Sequence, residues 1–161
     1  GATWIDPVMI GEGLGETALC YLGDGHLIAV MRGKALHQTE SRDDGYNWSE
    51  PRQITDEWEL PGDVLKLQDG RLLLTYGRRV PPYGIQGMVS HDEGRTWDRD
   101  QRLFLVADSS TTDCGYPSSL QREDGIIVTV YYAWDTVAEF DKRRRTGVHG
   151  AALLYRPEDL P

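Results

Sequence analysis

The sequence predicts an all-β fold built of β-propeller blades, about three of them in 161 residues. Three observations predict it. A turn motif of the form S-x-D-x-G-x-x-W stands at 41–48 and again at 90–97, and the chain opens on its second half, Gly1-Ala2-Thr3-Trp4. Trp4, Trp48 and Trp97 are 44 and 49 residues apart. Asp24-Gly25, Asp69-Gly70 and Asp124-Gly125 each separate two apolar runs, a strong short-range hairpin signal. A four-strand unit repeating at about 40–50 residues is the period of a propeller blade.

In chain order, a fourth strand over 4–10 belongs to a preceding blade, which sets 1–12 apart. The first full blade, 13–57, has strands expected at 17–22, 27–31, 35–40 and 48–55. The second, 58–108, repeats them at 63–68, 72–76, 85–89 and 97–106. The third, 109–161, has strands at 118–121, 126–132 and 151–156 and lacks a fourth. Second strands read as nearly continuous apolar runs, the pattern of strands covered on both faces. Helical periodicity is confined to one turn within 138–145. In the turn motif, Ser and Asp side chains can bond backbone groups inside the turn, Gly supplies positive φ, and Trp packs into the blade. Its role is structural.

Composition agrees. Five Trp and eight Tyr against two Phe suit strands better than helix bundles, and 18 Gly with 8 Pro are spread as turns rather than clustered. The formal charge of −9 argues against nucleic acid or an anionic membrane as partner. Lys142-Arg143-Arg144-Arg145 is the local exception, read as a solvated loop tip or an anion contact. No apolar run is long enough to span a bilayer. No leader is visible, but the first residue is Gly, so the compartment stays open. Cys20 and Cys114 lack metal spacing and read as isolated buried thiols. No cofactor motif or calcium-loop spacing is present.

Counting back from the Asp-Gly turns, Glu16 lies nine residues before Gly25, Tyr116 nine before Gly125, and Pro61 nine before Gly70. These are equivalent places at the start of each blade's innermost strand. The motifs at 41–48 and 90–97 resemble the Asp boxes of the bacterial neuraminidase repeat, and essentially the whole chain resembles the C-terminal half of a sialidase-superfamily six-bladed propeller. Gly115-Tyr116-Pro117-Ser118-Ser119-Leu120 resembles the segment that carries the sialidase nucleophile. Gly15-Glu16, followed through Asp24-Gly25 to Met31-Arg32, resembles the segment that carries its base.

The resemblance implies Tyr116 as nucleophile, Glu16 as its base and Arg32 as a clamp on the substrate carboxylate. The chemistry is coherent. Sialic acid carries a carboxylate on the reacting carbon, which would repel a carboxylate nucleophile, so a neutral phenol beside a base replaces it. Arginine grips a carboxylate through paired N–H donors. The family's third Arg is matched roughly by Gln86, with Arg78 and Arg79 nearby as substitutes. Its first Arg and its Asp general acid belong to N-terminal blades, and Asp63 is the candidate acid in this chain.

Two functions follow as expectations. One is a retaining exo-sialidase-like hydrolase acting on a sialoglycan or another glycan. The other is a non-catalytic propeller that binds carbohydrate or protein. Three blades leave both terminal apolar faces open, which leaves two expectations: the sequence is a piece of a longer enzyme, or two chains join around a twofold axis into one six-bladed ring.

Overall fold

The structure, a computed structural model, describes residues 7–134 and 147–161. Among the described residues, eleven strands form three antiparallel sheets. The first holds β1 (Gly15–Gly23), β2 (His26–Arg32), β3 (Leu36–Ser41) and β4 (Arg52–Gln53). The second holds β5 (Glu59–Lys66), β6 (Leu72–Arg78), β7 (Gly84–Ser90) and β8 (Leu103–Val106). The third holds β9 (Gly115–Gln121), β10 (Ile127–Trp134) and β11 (Val148–Tyr155), followed by a 3-10 turn at Pro157–Asp159. Each sheet is a simple meander, and the innermost strands lie side by side, β1 against β5 and β5 against β9. This is a stack of propeller blades, the fold class the repeat implies.

The core lies between sheets. Side chains alternate along β6, so Leu72, Leu74 and Tyr76 face the first sheet, where they meet Ile28, Val30 and Leu36. Leu73 faces the third sheet and packs with Val89, Ile127 and Leu160. Both faces of β6 are therefore covered, which explains its unbroken apolar run. The far face of the third sheet leaves Leu120, Val130, Val148 and Leu154 exposed.

The two turn motifs are built alike. Ser41 Oγ donates to Asp43 Oδ1 at 2.9 Å and accepts Gly45 N–H at 2.9 Å, while Asp43 accepts the Asn47 N–H at 2.8 Å. Ser90, Asp92, Gly94 and Thr96 repeat the pattern. The tryptophans differ. Trp48 Nε1 closes on Gly45 O in its own turn, whereas Trp97 Nε1 crosses to Gln38 Oε1 of the first sheet at 2.8 Å. Gln38 Nε2 returns a bond to Gly94 O at 3.0 Å. The second motif thereby pins one blade to the next. Cys20 and Cys114 are free and buried.

Fourth strands are shorter than expected: β4 keeps two residues of 48–55, and β8 starts at Leu103 instead of at Trp97. An outer strand is paired on one side only, and Pro51 has no N–H for the ladder. Isolated bonds persist beyond β4, from Ser49 N to Glu40 O and from Ile54 N to Leu36 O. Residues 7–10 of the expected 4–10 strand are not in a strand. Residues 4–6, the turn expected within 138–145 and the basic run 142–145 lie outside the described residues.

Candidate functional site

Each innermost strand begins two to four residues earlier than expected, through a β-bulge. In β1, Gly15 pairs with Arg32 and Ala18 with Val30, so Glu16 and Thr17 oppose Met31 alone. In β9, Gly115 pairs with Tyr132 and Ser118 with Val130, so Tyr116 and Pro117 oppose Tyr131 alone. A bulge re-aims the side chain of its first residue. Glu16 and Tyr116 are those residues, with φ of 44° and 49°. In β5 the bulge places Leu60 and Pro61 opposite Gly77, and the left-handed residue is Trp58. Pro61, the third equivalent, supplies no polar group.

The re-aimed side chains meet across two blades. Arg32, at the end of β2, donates from Nη1 to Glu16 Oε1 at 2.7 Å, to Glu16 Oε2 at 2.8 Å and to Tyr116 OH at 3.3 Å. The Arg32 guanidinium holds the Glu16 carboxyl below its ordinary value, with Tyr116 and the Arg79 charge adding to the effect against a partial burial. Burial pushes the Tyr116 phenol above its ordinary value, and the Glu16 carboxylate adds to the rise while Arg32 and Arg79 oppose it. The result is an ionised carboxylate beside a neutral phenol, bridged by a cation.

Close backbone packing places the third blade at this distance from the others. A Cβ on Gly77 would lie 2.9 Å from Gly115 Cα and 2.9 Å from Leu60 O. Only a residue without a side chain lets β9 start against β6 here. One residue past β6, Arg79 sits with its Cζ 5.9 Å from the Tyr116 ring centroid. Tyr132 lies on another part of the same ring, with centroids 5.8 Å apart and planes tilted by 38°.

Asp63 shares the site. It lines, with Glu16, Pro61, Tyr116 and Ser118, an open cleft of about 400 Å³. Its Oδ2 accepts the Ser119 N–H at 2.7 Å, yet burial dominates and raises the carboxyl above its ordinary range.

Two expected residues are not brought into contact with the cluster. Arg78 turns its Nη1 to the carbonyls of Val80 and Pro82, and its guanidinium lies over Phe104 at 5.7 Å. Gln86 is buried at 2% exposure opposite Tyr76 in the ladder, and its Oε1 has no partner among the described residues. Alternation explains the choice between the arginines. Arg78 continues the row of Leu74 and Tyr76, whereas Arg79 continues the row of Thr75 and Gly77, which meets β9. Tyr132 also borders Tyr116, and Asp113 links Tyr132 to Trp134; no motif singles out these three. One signal was available: Tyr132 follows Tyr116 by the same interval at which Arg32 follows Glu16.

The sequence profile of the BNR repeat-like domain matches residues 1–129. No curated protein matches the chain. Among solved structures, a protein of unknown function from Dyadobacter fermentans DSM 18053 is similar at 24% identity and a TM-score of 0.72, over 93% of this chain and 41% of that one. A PL25 ulvan lyase bound to a glucuronic acid–rhamnose 3-sulfate repeat is similar at 16% identity and a TM-score of 0.62, over 90% and 39%. A thermostable family-43 glycoside hydrolase is similar at 12% identity and a TM-score of 0.63, over 98% and 53%. The likeness is one of fold, and the chain spans about two fifths of the length of the first two.

Proposed function

The chain belongs to the BNR repeat-like domain family, and on that premise we propose that Glu16, Arg32 and Tyr116 form a glycan site performing a retaining, sialidase-like hydrolysis. The observation that carries the proposal is the single Arg32 Nη1 that touches both Glu16 oxygens and the Tyr116 hydroxyl. It joins a base and a phenol from different blades at one point. The names of two similar structures, a polysaccharide lyase and a glycoside hydrolase, agree with a glycan ligand.

In the proposed reaction the Tyr116 oxygen attacks the anomeric carbon as its proton passes to Glu16. The bond to the leaving oxygen breaks, and Asp63 gives that oxygen its proton. Water, losing a proton to Asp63, then attacks the anomeric carbon, and Tyr116 recovers its proton from Glu16 as it leaves. Arg32 keeps Glu16 ionised before substrate arrives. Its Nη2, together with Arg79, offers donors to a substrate carboxylate. Arg79 replaces Arg78 and Gln86 in that role, since it is the one beside Tyr116.

The test is turnover of a fluorogenic sialoside. Release by the wild type, lost in Tyr116→Phe with the fold intact, supports the proposal. Equal turnover by Tyr116→Phe contradicts it. A second reading, a non-catalytic glycan-binding blade set, is favoured by one observation: both Glu16 oxygens are already held by Arg32, so the base must loosen that bond to accept a proton. Binding on a glycan array without turnover is its signature.

A further inference from the structure

Beside Tyr116, the third sheet presents side chains that the proposed hydrolysis does not use. Alternation on β10 puts Tyr132 and Trp134 on one face, Tyr132 partly exposed and Trp134 exposed at 37%. Both polar ends are tied to one carboxylate. The Tyr132 hydroxyl donates to Asp113 Oδ1, and Trp134 Nε1 donates to Asp113 Oδ2 at 2.9 Å. The Tyr132 ring adjoins the Tyr116 ring. Three aromatic rings thus lead away from the nucleophilic hydroxyl, starting at Tyr116 and ending at Trp134.

Exposed Tyr and Trp can satisfy their polar ends with water, so a shared carboxylate at an exposed place is not needed for burial. What it does is fix both ring planes and leave their faces to solvent. A pyranose ring presents a flat patch of C–H groups rimmed by hydroxyls. Fixed aromatic faces match the patch, and a carboxylate with spare lone pairs accepts from the rim. The donors from Tyr132 and Trp134 hold Asp113 below its ordinary value, so it remains an acceptor across the neutral range. Fixing the rings before the ligand arrives lowers the ordering cost of binding.

We propose that Tyr132 and Trp134, held by Asp113, form a stacking subsite for a second sugar ring, joined through the leaving oxygen to the ring that Tyr116 attacks. The ligand class is then an oligosaccharide and not a single sugar on a small leaving group. This subsite rests on the glycan reading of the Tyr116 site.

The test compares sialyllactose with free sialic acid by calorimetry, in a Tyr116→Phe background that prevents turnover. Adding Trp134→Ala should weaken sialyllactose about five- to tenfold, the scale of one aromatic stacking contact. Free sialic acid should be left within about twofold, since it does not reach Trp134. Trp134→Phe keeps a ring but loses the bond to Asp113, and should fall between. If Trp134→Ala leaves sialyllactose unchanged, or weakens both ligands equally, the subsite is refuted while the Tyr116 site stands. If neither ligand binds the starting protein, both readings fall. If sialyllactose binding depends on Trp134 but the wild type turns over no sialoside, the subsite survives and hydrolysis does not.

Discussion

Glu16 and Tyr116 hold the same position in two different blades: each is the second residue of an innermost strand and each has a left-handed φ, 44° and 49°. Non-glycine residues in that region carry strain of about 1–2 kcal/mol, and such strain gathers at functional sites. Glu16→Asn places a residue that tolerates left-handed φ there. The bond lost to Arg32 is solvent-exposed and worth little. Thermal unfolding of Glu16→Asn should show a melting temperature equal to or above the wild type, with turnover lost. A marked fall would contradict the strain account.

The titration directions predict an acidic optimum. Glu16 must be ionised, and its lowered pKa keeps it so to below 4.5. Asp63 must be protonated, and its pKa is raised above 3.8 by burial. Activity should therefore fall as pH rises through the Asp63 value. Asp63→Asn should reduce turnover and remove that alkaline limb. Stability falls over the same pH range. A raised native pKa means the folded state binds the proton more tightly, so the penalty is absent below the unfolded value and appears as pH rises through the folded one. Asp63→Asn should raise the melting temperature at neutral pH and not at pH near 3. A gain at both would point to packing instead.

Gly77 governs how closely the third blade approaches. In Gly77→Ala the new methyl must displace Gly115 or Leu60 O, both at 2.9 Å. Backbone overlap of this kind costs about 1–3 kcal/mol. Because Gly115 precedes Tyr116, turnover should fall further than stability alone accounts for. Full activity in Gly77→Ala would show that this contact does not position the tyrosine.

Gln38 joins the first and second blades through Trp97 and Gly94. Gln38→Leu leaves the buried Trp97 indole N–H without its acceptor, at a cost of about 1–3 kcal/mol. Urea unfolding should show a lower midpoint. An unchanged midpoint would mean that the bond adds nothing to blade stacking.

Turn chemistry was legible because it is local. Asp-Gly pairs and the Ser, Asp and Gly of the motif fix their own backbone, and they mark the hairpins and third-to-fourth strand turns. Glu16 and Tyr116 were legible because bulges recur at a fixed distance from those turns. Fourth strands were not, because an edge strand is paired on one side only, and in the first blade Pro51 also interrupts the ladder. The choice of Arg79 over Arg78 needed the register of β6, which decides which face each side chain takes. Asp113 was invisible because its loop reaches Tyr132 and Trp134 only in three dimensions.

The proposed hydrolysis turns on a covalent bond between the Tyr116 oxygen and a sugar. Incubation with a fluorinated sialosyl fluoride, followed by peptide mass spectrometry, measures this directly. The expected result is one added fluorosialosyl group on the peptide that carries Tyr116, absent in Tyr116→Phe. A wild-type protein that hydrolyses sialosides yet carries no label there, or a label that persists in Tyr116→Phe, would contradict it.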